Sequence, residues 1–74
     1  MTIEEINNYI QNKLVAEGSD RVSAVKAARW LDRAGLLKDS ENRPGLPLRR
    51  LLRDDMIIGA HQQANKRWFI YPQR

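Results

Sequence analysis

The chain has no cysteine. Disulfides and thiolate metal sites are therefore excluded, and the reading that follows is a reducing, cytoplasmic setting. It has one histidine, His61, which cannot assemble a metal site alone. It has no apolar run near the ~20 residues that a membrane helix needs. The opening "MTIEEINNYI" is acidic and polar, unlike a signal peptide. Phosphate-cradling glycine loops are lacking, and so is any catalytic constellation. Glu4 and Glu5 are neighbours on one predicted helix and do not oppose each other across a cleft. The expectation is a non-enzymatic protein without cofactor or metal, and with no membrane partner.

What the chain has is positive charge, unevenly placed. At 74 residues it is read as one domain, near the lower limit for an independent core. Net charge is +4. In residues 1–20, Lys13 stands against Glu4, Glu5, Glu17 and Asp20, a balance of −3. The remainder sets twelve Lys/Arg against five Asp/Glu, a balance of +7. Nine of the thirteen basic residues are arginine, whose planar fork suits phosphates and guanine edges. A basic body of this kind has the electrostatics of a polyanion binder.

Periodicity predicts a first helix over 2–17. Thr2 and Glu5 have capping-box spacing, and Met1 and Ile6 occupy staple positions. Ile3, Ile6, Ile10 and Leu14 form an apolar stripe, and Gly18 is the stop. Its other face, with Glu4, Glu5, Asn8 and Asn12, would repel phosphate and suits bracing the fold or meeting a partner.

The second helix is expected over 22–35, with Ser23 as N-cap, Val22 stapled to Ala27, and Gly35 as stop. Ala24, Ala27, Ala28 and Leu31 make a small-residue stripe, widened by Val25 and Trp30. Lys26, Arg29 and Arg33 run along the opposite side. Residues 36–45 hold "KDSENRPG", a polar loop expected to be the most mobile segment.

The third helix is expected over 46–56, with Pro47 in its first turn. Leu48, Leu51, Leu52 and Met56 share one face. Arg49, Arg50 and Arg53 share the other. Residues 57–72 read as a β-hairpin: Ile57-Ile58 and Trp68 to Tyr71 as strands, and Asn65 as the positive-φ turn residue. Trp68 and Ile70 should face the helices, with Phe69 and Tyr71 opposite. The fold class is thus α+β, mainly α: three helices followed by a C-terminal hairpin.

The segments "VSAVKAARWL" and "LPLRRLLRDDMIIGAHQQANKRWFI" resemble the winged helix-turn-helix of phage excisionases and related MerR-type DNA-binding domains. The matching features are Ala27-Ala28, the Arg49–Arg53 stretch, Ile58-Gly59-Ala60, and Lys66-Arg67-Trp68-Phe69-Ile70. The resemblance spans roughly residues 22–71. The turn over 35–46 is longer than the family's, and the helix over 2–17 has no counterpart in the minimal domain. The resemblance implies a small bacterial or phage protein that binds double-stranded DNA to regulate or to shape it. The implied contacts are Arg49, Arg50 and Arg53 in the major groove, Lys66, Arg67 and Asn65 on the wing, and Lys26, Arg29 and Arg33 on phosphate. The competing reading for the arginines is a solvated face paired with Asp54, Asp55 or Glu41. The competing reading for the whole chain is a protein-interaction module, with residues 2–17 as a partner or homodimer surface. RNA binding ranks third, because only Tyr71 and Tyr9 look free to stack on bases.

Overall fold

A computed structural model describes residues 2–73. Its elements are α1 (Ile3–Glu17), β1 (Val22–Ser23), α2 (Ala24–Arg33), α3 (Leu46–Arg53), β2 (Ala60–Gln62) and β3 (Trp68–Ile70). The mainly helical α+β class follows directly: three helices and a small antiparallel sheet of order β1-β3-β2.

α1 and α2 start where a side-chain hydrogen-bond acceptor stands. Thr2 Oγ1 accepts from the Glu5 backbone N–H at 3.1 Å, and Ser23 Oγ from that of Lys26 at 3.3 Å. Each takes up a donor that the first helical turn leaves orphaned. The Met1 half of the expected staple lies outside the described residues.

All three helices stop in the same way, with a left-handed residue folding two N–H groups back onto the last turn. At α1, Gly18 and Ser19 donate to Val15 and Leu14. At α2, Gly35 and Leu36 donate to Asp32 and Leu31. At α3, Asp55 and Met56 donate to Leu52 and Leu51, and here Asp55 itself takes the left-handed conformation (φ 60°). That stop corrects the expected 46–56 helix. It ends at Arg53, and Met56 leaves the apolar face to stand 48% exposed.

The core is one cluster. Ile6, Ile10 and Leu14 of α1 meet Ala27, Ala28, Trp30 and Leu31 of α2, Leu48 and Leu52 of α3, and Ile70 of β3. Full burial of each large aliphatic contributes about 1.5–3 kcal/mol. The α1 stripe is therefore spent inside the fold, and α1 is a core helix. Its outer face, with Glu4, Glu5, Asn8 and Asn12, is what it leaves to solvent. Val25 departs from the expected stripe: it is exposed beside α3, while Ala24 and Trp30 are buried.

The sheet differs from a plain hairpin. Val22-Ser23 forms an edge strand, with Val22 opposite Ile70 and Ser23 opposite Phe69. On the other edge Ala60, His61 and Gln62 face Ile70, Phe69 and Trp68. Ile57 and Ile58 are not a strand; Ile57 is buried and Ile58 is 53% exposed. The reason lies in α1. The Asn7 side chain, 7% exposed, donates to Met56 O (3.0 Å) and accepts from Ile58 N–H (2.9 Å). One amide thus satisfies the backbone groups that a ladder partner would otherwise take. One turn along, Gln11 donates to Tyr71 O (3.2 Å) and accepts from Gln73 N–H (2.8 Å). Between these clamps Gly59 adopts φ 77°, and its carbonyl accepts from Tyr71 N–H at 2.9 Å. A Cβ there would lie 2.4 Å from Tyr71 O, so only glycine lets the two backbones approach.

The 36–45 loop, expected to be the most mobile, carries internal ties. Asp39 Oδ1 accepts from the N–H groups of Ser40 (2.9 Å) and Gly45 (2.8 Å), and Ser40 Oγ accepts from that of Arg43 (3.1 Å). Leu36 and Leu37 pack against the core. Gly45, at φ 86°, then opens α3 with Pro47 in the first turn.

Candidate nucleic-acid interface

The structure divides the nine expected contact residues into groups. Arg49 from α3 and Lys66 and Arg67 from the hairpin turn line one cleft of about 370 Å³. The start of α2 (Ser23 to Val25) and the aromatics Trp68 and Phe69 complete it. Three cations from segments far apart in sequence thus meet beside a helix N-terminus, whose dipole adds to the positive field. Arg49 is only loosely held, with Nη2 3.5 Å from Pro44 O.

Arg53 follows Arg49 by one helical turn and is exposed, so it extends the same face. Arg50 is rotated ~100° from Arg49. It borders a different groove of about 340 Å³, with Ile3, Leu37 and Leu51. Sequence reasoning placed the three arginines on one face. Arg49 and Arg50 instead flank that face, with Arg53 between them.

Lys26, Arg29 and Arg33 are exposed on α2 but do not line the Arg49 cleft. The Lys26 ammonium lies 5.8 Å from the Trp30 ring, which Lys13 of α1 also approaches at 5.9 Å. Val25, ~100° round the helix from Lys26, lines the Arg49 cleft instead.

At the hairpin turn the positive φ belongs to Lys66 (67°), not to Asn65. Asn65 instead shapes the turn, its Oδ1 accepting from Arg67 N–H at 3.1 Å. Its side-chain oxygen is therefore engaged internally, while the cationic heads of Lys66 and Arg67 have no such role.

Among the described residues the one ion pair is Lys13 with Glu17, at 3.7 Å. The expected alternative, arginines paired with Asp54, Asp55 or Glu41, does not form there. Among the described residues the cations of α3 and the hairpin turn form no ion pair, and Arg49 has only its weak contact with Pro44 O.

Sequence reasoning missed Arg21. Its guanidinium stacks 4.2 Å from the centre of the Phe69 ring on β3. Only the β1–β3 pairing brings the two together, and no local pattern signals it. The tyrosines that seemed free are both half-buried. Tyr9 packs against the core. The Tyr71 hydroxyl accepts from Gln63 Nε2 at 3.2 Å, and its ring meets His61 edge-on.

Among the described residues, no helix is long and apolar enough to cross a membrane. No family model, curated protein or solved structure matches the chain.

Proposed function

We propose that the chain is a small cytoplasmic, excisionase-like DNA-binding protein of the winged-helix kind. It binds duplex DNA, regulating or shaping it. In this reading α3 enters the major groove, and Arg49 and Arg53 reach base edges or phosphates. Lys66 and Arg67 hold the backbone beside the wing. Arg50 grips the flank, and Lys26, Arg29 and Arg33 touch only outlying phosphates. The observation that carries the reading is the convergence of Arg49, Lys66 and Arg67 on one cleft, with no carboxylate partner among the described residues.

With the five cations Arg49, Arg50, Arg53, Lys66 and Arg67 at phosphate, the log K against log salt slope is about −4 to −5, and any contact from the outlying α2 cations steepens it. Fluorescence anisotropy with a labelled duplex between low and physiological salt measures it. A flat salt response, or duplex affinity unchanged by the combined variant Arg49→Ala, Arg50→Ala, Arg53→Ala, sinks the proposal.

A further inference from the structure

The sheet has an open side, the edge opposite β1. β2 is its last strand, hydrogen-bonded to β3 alone. The ladder's phase shows which of its backbone groups are free. Tyr71 N–H donates to Gly59 O and Gln63 N–H donates to Arg67 O, so the pairs 59–71 and 63–67 are hydrogen-bonded. Antiparallel pairs alternate, so His61–Phe69 is bonded as well, while Ala60 and Gln62 turn their N–H and C=O outward. Two exposed apolar side chains, Met56 and Ile58, stand at the base of this edge. Met56, Ile58 and Asp55 share an open cleft with Ala60 and His61.

Charge is polarised along the same edge. Asp54 and Asp55 lie at its base, and Lys66 and Arg67 at its tip. None of the four forms an ion pair among the described residues.

We propose that the free edge of β2 pairs antiparallel with β2 of a second copy of this chain, making a continuous six-stranded sheet. The two outward residues fit this arrangement. With Ala60 opposite the partner's Gln62, and Gln62 opposite the partner's Ala60, each pair exchanges two hydrogen bonds about a two-fold axis at His61. The same register runs the acidic base of one edge toward the basic tip of the other, twice. It also covers Met56 and Ile58. A parallel arrangement would instead bring like charges together. This selects the antiparallel second copy as the occupant. Three-residue strands bury little area, so the dimer belongs with weak, transient contacts below ~1,200 Å².

The proposal draws on Lys66 and Arg67, which also line the basic cleft, but it does not require DNA binding and is tested without nucleic acid. Sedimentation equilibrium of the full chain at low salt, from about 10 μM to 1 mM, should show mass rising toward the dimer. Gln62→Pro removes an outward N–H and spares the β2–β3 ladder, because proline is tolerated on an edge strand at such a position. It should weaken association at least about tenfold while keeping a folded amide spectrum. Asp55→Arg should also weaken it, and adding Arg67→Glu should restore it; this swap decides the matter should the proline variant fail to fold. A monomer throughout the concentration range overturns the proposal. So does a dimer indifferent both to Gln62→Pro and to the charge swap, or one whose amide shifts fall on the outer face of α1.

Discussion

The two long sides of this domain use polar side chains in opposite ways. On the α1 side, Asn7 and Gln11 are neutral, and their amides are engaged with the backbone of 56–58 and 71–73. On the α3 and hairpin-turn side, Arg49, Arg53, Lys66 and Arg67 are charged and exposed, and form no ion pair among the described residues. Buried polar groups must be satisfied, so Asn7 is explained by the fold. Exposed cations cost the fold little and give it little, so their clustering is not explained by stability. The first side is where mutation should unfold the protein; the second is where it should change only binding.

The largest expected effect is at Gly59. Gly59→Ala forces backbone apart at Tyr71 and should cost about 3 kcal/mol or more, measured by chemical denaturation. For so small a domain that approaches the whole stability. Next comes the other side. Alanine at Arg49, Arg50 and Arg53 together should lower duplex affinity by about 100-fold or more, with stability unchanged within ~0.5 kcal/mol. Alanine at Lys26, Arg29 and Arg33 should lower affinity much less, because these residues lie off the cleft; an equal loss would break the contrast between the two basic groups. Asn7→Ala removes both clamp bonds and should cost about 2 kcal/mol, with the intrinsic duplex affinity of the folded fraction preserved. The smallest effect should come from Asp55→Gly. Glycine adopts the left-handed stop without strain, so the domain should gain about 0.5–1 kcal/mol.

Local signals made much of this visible beforehand. Thr2, Gly18, Ser23 and Gly35 mark helix ends through chemistry that acts within one turn. Leu48 and Leu52 follow a helical period, and both are buried as it requires. The errors share a cause, which is competition from distant groups. Ile57-Ile58 has strand composition, but Asn7 takes its backbone partners first. Val22-Ser23 is too short to signal a strand and becomes one only against β3. Met56 has the right spacing for α3, yet Asp55 turns the chain before it. The same holds for the interface. Arg49, Lys66 and Arg67 were each singled out by residue type and resemblance, but their meeting in one cleft is a tertiary result. The departure of Arg50 follows from its ~100° rotation on α3, which the spacing already implied; the detachment of Lys26, Arg29 and Arg33 and the stacking of Arg21 on Phe69 depend on tertiary packing.

The most direct test of the central claim is an amide-shift NMR titration with a generic duplex at low salt, repeated at high salt. The account predicts shifts at Arg49, Arg53, Lys66 and Arg67 that vanish in high salt, with α1 silent. No shifts at low salt, or shifts centred on the outer face of α1, would contradict it.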